Sequence, residues 1–162
     1  MIYVTGDTHA RFNRFTKASF PEQEKMTKKD YVIIVGDFGG IFSTDENDKT
    51  EKWWLDWLEE KPFTTLFICG NHENFDRLDA YPVEEWHGGK VHKIRPSIIH
   101  LMRGQVFDID GKTFFTFGGA SSHDVRDGIL EVGDERIKEW KYDRTKFFRV
   151  NHVSWWQQEM PN

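Results

Sequence analysis

Three apolar runs each stop at a short Gly-led segment rich in metal-ligating side chains, and this recurring junction limits what the chain can fold into. Ile2-Tyr3-Val4-Thr5 leads into Gly6-Asp7-Thr8-His9, Tyr31-Val32-Ile33-Ile34-Val35 into Gly36-Asp37, and Thr65-Leu66-Phe67-Ile68-Cys69 into Gly70-Asn71-His72-Glu73. A short unbroken apolar run reads as a parallel strand buried on both faces. Open α/β sheets bind ligands beyond the carboxyl ends of such strands. Neighbouring ends of this kind would turn Asp7, His9, Asp37, Asn71 and His72 toward one crevice. Oxygen and imidazole donors converging there point to a metal site, and a metal site points to hydrolysis.

The segments between the runs predict a β-α-β-α-β first half with right-handed crossovers. Residues 11–18 read as a helix with Phe12 and Phe15 on one face. Residues 51–60 carry Trp53, Trp54, Trp57 and Leu58 as an amphipathic stripe that Pro62 limits. A short helix is expected near residues 74–78. The stretch 74–96, with Tyr81, Trp86 and Gly88-Gly89, reads as an inserted loop framing a pocket or packing aromatics on the sheet. Residues 97–102, 105–109 and 112–117 then form short strands, antiparallel or in a second sheet, with Asp110-Gly111 a two-residue hairpin signal. A loop over 118–122, a charged helical or irregular stretch over 134–148, and a helix opened by Ser154 complete the reading.

Composition narrows the class. The 162 residues are enough for a domain with a real core, and no repeat or linker divides them. The net charge of −5 gives no bulk attraction for polyanions, so a nucleic-acid partner is disfavoured. The single cysteine, Cys69, excludes an intrachain disulfide and fits a reducing compartment. No apolar stretch approaches the ~20 residues of a membrane span, and no signal peptide opens the chain. The expectation is a cytoplasmic protein without a membrane partner. The aromatic share of 15% serves packing or a stacking surface, and Trp spacing does not separate the two.

Gly6-Asp7-Thr8-His9, Gly36-Asp37 and Gly70-Asn71-His72-Glu73, in that order, resemble the opening motifs of the calcineurin-like metallophosphoesterases. The resemblance covers roughly residues 1–120. It implies an α/β sandwich of two sheets flanked by helices, the second sheet incomplete here. It implies two divalent cations (Mn, Fe, Zn or Mg), with Asp7 and His9 on the first, Asp37 bridging, Asn71 on the second, and His72 acting at the leaving group. The substrate would be a phosphate ester, mono- or diester, attacked by a metal-activated water. Ala10 stands where the family usually has Gly, which makes the neighbouring Arg11 a candidate phosphate contact. Gly40 stands where the family often has an Asp that orients its catalytic His. Glu73 and Asp76 are the acids near enough in sequence to replace it.

The family's later His strand and Gly-His-X-His loop are not recognisable. Among the other histidines, His123 is the best placed chemically, whereas His100 reads as a packed residue and His87, His92 and His152 as surface or loop. The chain therefore reads as a single domain, 1–162, truncated at its carboxyl end, with reduced metal occupancy and a tendency to self-associate. The rival reading is a catalytically incomplete fragment or scaffold of the same fold. A third is a nucleic-acid-processing enzyme of the same family.

Overall fold

The computed structural model describes residues 1–119 and 122–160. Ala120 and Ser121, within the loop expected over 118–122, lie outside them. A six-stranded sheet, ordered β1-β2-β3-β6-β5-β4, organises the fold. It is built from β1 (Ile2–Thr5), β2 (Tyr31–Val35), β3 (Thr64–Ile68), β4 (Val83–Trp86), β5 (Gly89–Arg95) and β6 (Ile98–Leu101). β1, β2 and β3 are parallel neighbours, as the apolar runs predict; β6 lies parallel to β3, and β5 and β4 continue the sheet antiparallel.

The twofold alternation of strand side chains divides the core between the sheet's two faces. Val32, Ile34 and Phe67 point to one face, where they pack with Phe12, Phe15, Leu55, Leu58 and Phe63. Ile33 and Leu66 point to the other and pack with Val91, Ile99, Leu101, Phe107 and Ile109. Helix α1 (Lys49–Glu59) covers the first face. Its start is set by Asp48, whose side chain accepts the backbone N–H groups of Thr50 and Glu51 at 2.9 and 3.0 Å. The hairpin of β7 (Gln105–Ile109) and β8 (Lys112–Thr116) covers the second. Asp110 and Gly111 take φ of 54° and 69° at its tip, the left-handed pair a tight hairpin turn requires. The result is a sheet with helices on one side and a smaller sheet on the other, as the resemblance implies.

Several elements differ from the sequence reading. The helix expected over 11–18 is a single 3-10 turn, Phe12–Phe15, which suffices to bury both Phe side chains. The short helix expected after β3 forms as α2 (Phe75–Asp79), with the Asn74 side chain accepting Arg77 N–H. The inserted loop expected over 74–96 also holds β4 and β5, joined at His87 and Gly88 with φ of 49° and 89°. β6 joins the main sheet parallel to β3, not the second sheet. Residues 134–148 form the short α3 (Arg136–Trp140), followed by β10 (Phe148–Val150), which pairs parallel with β9 (Gly128–Leu130). Ser154 does not cap a helix. Its Oγ accepts Val150 N–H at 3.0 Å, and one 3-10 turn, Gln157–Glu159, follows. No helix among the described residues is long and apolar enough to cross a membrane.

Candidate metal centre

Parallel register brings the ends of β1, β2 and β3 level, because Thr5 stands beside Ile34 and Val35 beside Ile68. Main-chain hydrogen bonds continue past the strands. Gly36 N–H donates to Ile68 O at 3.1 Å, Asp7 N–H to Gly36 O at 3.2 Å, His9 N–H to Asp37 O at 2.8 Å and Ala10 N–H to Phe38 O at 3.0 Å. The buried Thr8 hydroxyl adds a bond to Phe38 O at 2.7 Å. The two loops are therefore laced backbone to backbone.

That lacing bends the chain sharply. Asp7, His9, Ala10 and Asp37 take φ of 49°, 44°, 57° and 47°. Such values are uncommon outside glycine, and they gather where a site is held in a fixed shape. In extended backbone Asp7 and His9, two residues apart, would point the same way, and these positive φ values depart from that geometry.

Asp37 stands at the centre. Its side chain is 13% exposed. Oδ1 accepts the backbone N–H of Asn71 at 2.8 Å and of His72 at 3.2 Å. Oδ2 lies 3.3 Å from His72 Nδ1 and 3.5 Å from His9 Nε2. Burial raises the proton affinity of this carboxyl, but His72, the Asn71 N–H and His9 outweigh it and hold the pKa below the usual carboxylate value. Gly70 makes room for the carboxylate, since a Cβ there would come within 2.1 Å of Asp37 Oδ1.

His9, Asp37 and His72 each offer a donor atom, and all lie within 4.8 Å of one another. Donors about 2.1 Å from one tetrahedral cation stand about 3.4 Å apart, so the Asp37–His9 and Asp37–His72 separations suit a shared divalent ion. Imidazole with carboxylate fits Mn, Fe, Zn or Mg better than a thiolate-preferring metal. On its other side Asp37 lines an open cleft of about 460 Å³ with Asp7 and Asn71, walled by Phe115 and Phe117. No hydrogen bond to the Asn71 side-chain amide is seen among the described residues, so that amide is available to a ligand. Cys69 also borders the cleft, but burial pushes its thiol up to about 11, which leaves it unreactive near neutral pH.

The acids nearest in sequence to His72 do other work. Glu73 is buried, and its carboxylate accepts N–H groups from Phe38 at 2.6 Å, Gly39 at 3.3 Å and Gly70 at 2.7 Å. Burial pushes Glu73 up to about 7 despite these three donors. Asp76 Oδ2 accepts from Trp156 Nε1 at 2.7 Å and lies 2.8 Å from His152 Nδ1. His72 is instead held between Asp37 on its Nδ1 side and Arg149 on its Nε2 side. An Asp at position 40 has no room, because a Cβ there would meet the Phe38 ring at 2.4 Å.

Of the other expected site residues, Arg11 is exposed and does not line the cleft. Arg14 donates from Nη1 to Gly6 O at 2.9 Å and from Nη2 to Asp7 O at 3.2 Å, which ties it to the β1 loop. His123 is 87% exposed beside Asp124. His100 is packed, stacking on Phe67 at 5.0 Å.

The family model described as calcineurin-like phosphoesterase matches residues 1–160. The chain belongs to that family. No curated protein and no solved structure matches it. Calcineurin-like phosphoesterases are metal-dependent hydrolases of phosphate esters, and the His9–Asp37–His72 group is a place in this member where a metal can bind. Arg149 and Asp124 are the site residues that sequence reasoning missed. Neither falls in a motif, and the β10 strand that carries Arg149 is three residues long.

Proposed function

We propose that this chain hydrolyses phosphate esters at a centre of two divalent cations held at the ends of β1, β2 and β3. In this reading Asp7, His9 and Asp37 hold the first cation, and Asp37 and Asn71 the second. The observation that carries it is that Asp37 belongs both to the His9–Asp37–His72 donor group and to the lining of the cleft that Asp7 and Asn71 share. A carboxylate placed between two donor sets has an oxygen for each. Divalent cations held there (Mn, Fe, Zn or Mg) would supply a nucleophilic water at neutral pH and neutralise phosphoryl charge.

The chain's own groups do the rest. Asp37 holds the imidazole of His72 through Nδ1, and Nε2, which meets Arg149 Nη2, is the nitrogen assigned to the leaving oxygen. A general acid in that place contributes about 10²–10⁴ in rate. The Glu73 carboxylate and the laced loops keep the donors from drifting, and small displacements of such groups are costly.

The test is turnover of 4-nitrophenyl phosphate and bis(4-nitrophenyl) phosphate with Mn²⁺. Activity that a chelator removes and Mn²⁺ restores supports the proposal. A folded, Mn²⁺-binding protein that turns over neither ester favours the scaffold reading. Cleavage of single-stranded DNA alone favours the nucleic-acid reading.

A further inference from the structure

Arg149 reaches His72 from 77 residues away in sequence. Its Nη2 stands 3.1 Å from His72 Nε2 and also pairs with Asp124 Oδ2. Asp124 is itself fixed, since Ser122 Oγ accepts its backbone N–H at 3.0 Å. The guanidinium holds the Asp124 carboxyl below the usual carboxylate range. Nη1 reaches the Ser154 carbonyl at 3.4 Å, a weak bond. The Arg149 side chain is 17% exposed, so it is shielded without being sealed off.

The bond to His72 is the telling one. A guanidinium is a permanent cation, and Nε2 accepts its N–H only as a neutral nitrogen. An anionic oxygen is the stronger acceptor, by roughly a factor of two. That N–H is therefore exchangeable, and its natural replacement partner is an oxyanion. Polar atoms 3.1 Å apart can each meet a different oxygen of one phosphoryl group at ordinary hydrogen-bond distance. With the leaving oxygen at His72 Nε2, a non-bridging oxygen on the same phosphorus is therefore within reach of Arg149 Nη2.

We propose that Arg149, positioned by Asp124, is a substrate-binding residue that grips a non-bridging phosphoryl oxygen and selects phosphomonoesters over diesters. The proposal rests on the phosphoesterase reading above. A monoester presents three non-bridging oxygens and up to two negative charges at neutral pH, whereas a diester presents two oxygens and one charge. A fixed cation belonging to the protein adds most to the more highly charged ester. It also meets an oxygen that a diester has replaced with a second ester group.

The experiment compares the full chain with Arg149→Ala and Arg149→Lys. With Mn²⁺, kcat/KM is measured for 4-nitrophenyl phosphate and bis(4-nitrophenyl) phosphate, and calorimetry follows binding of inorganic phosphate and of dimethyl phosphate. The expected result is a monoester preference in the parent. Arg149→Ala lowers monoester kcat/KM about 10²-fold and the diester value less than about threefold, with Lys recovering part of the loss. Inorganic phosphate affinity falls about tenfold or more in Arg149→Ala, while that of dimethyl phosphate changes little. Equal losses on both esters, or unchanged phosphate affinity, overturn the proposal and leave Arg149 a structural tie between β10 and His72. If the parent hydrolyses neither ester yet binds phosphate through Arg149, the hydrolase reading fails and the anion site stands. If Arg149→Ala does not fold, Arg149→Lys carries the same comparison.

Discussion

Glu73 accepts the backbone N–H of Phe38 at 2.6 Å, joining the loop that follows β3 to the loop that follows β2. The other carboxylate oxygen accepts Gly70 N–H at 2.7 Å, so one buried side chain fixes both sides of the Asp37 pocket. Glu73→Gln keeps the shape but turns an NH₂ group toward a backbone donor, which orphans that donor. The expected cost is about 1–3 kcal/mol, read as a lower denaturation midpoint. Mn²⁺ affinity should fall with it, although Glu73 is assigned no cation. Unchanged stability would mean that the backbone lacing alone holds the loops.

Gly70 lies in close contact with the Asp37 carboxylate. A Cβ at position 70 would stand 2.1 Å from Asp37 Oδ1 and 2.6 Å from Asp37 N, and backbone cannot move aside as a flexible side chain can. Gly70→Ala is expected to fold, because the strand core lies below it, and to lose Mn²⁺ binding measured by calorimetry. Parent-like affinity would show that Asp37 is not a ligand.

Asp37 and Asn71 should differ in the depth of their effects. Asn71→Ala removes one donor and is expected to lower turnover about 10²–10³-fold. Asp37→Ala removes the group assigned to both cations, and should abolish turnover and cut the number of bound Mn²⁺ ions. Equal, mild losses would contradict the bridging role.

A buried histidine pair sets a pH dependence distinct from catalysis. His100 is buried against Phe67, its Nδ1 is 3.2 Å from His92 Nδ1, and burial pulls its pKa from 6.5 to about 3. The folded state thus refuses a proton that the unfolded chain accepts. The resulting stability is fully present above pH ~6.5 and is lost as pH falls toward 3. Relative to His100→Phe, which keeps the stacked ring, the parent should lose about 2 kcal/mol between pH 7.5 and 5. Urea unfolding at the two pH values measures this, and parallel profiles would mean that His100 is protonated in the fold. The comparison is differential because Glu73 and Glu159, each pushed up to about 7 by burial, contribute with opposite sign between their unfolded value of 4.5 and 7.

Helix α1 offers a test of local structure alone. Asp48 Oδ1 satisfies the N–H groups of both Thr50 and Glu51, so Asp48→Ala should cost about 1 kcal/mol, seen as a lower Tm with metal binding unchanged.

Much of the site was legible because a parallel strand buried on both faces leaves an unmistakable apolar run. The glycines after β2 and β3 mark where the chain must turn tightly. Asp37 could be placed from Gly36 and the run before it. Arg149 could not. It is brought to His72 by tertiary packing of a three-residue strand, and nothing within a sequence window encodes that meeting. β4 escaped detection because Val83-Glu84-Glu85-Trp86 lacks a buried face, and its pairing depends on the His87-Gly88 turn. The helix expected over 11–18 shortened because Phe12 and Phe15 reach the core within one turn, and no side chain caps that turn.

The cradle around Asp37 is assembled largely from peptide groups, with Thr8 and Glu73 as the side chains that join it. The framework therefore leans on the Asp37 carboxylate and on peptide groups, and not on the side chains of His9 and Asn71. On the two-cation proposal, exchanging His9 or Asn71 for other ligating residues should retune ion preference while the scaffold stays intact, much as a socket accepts different fittings.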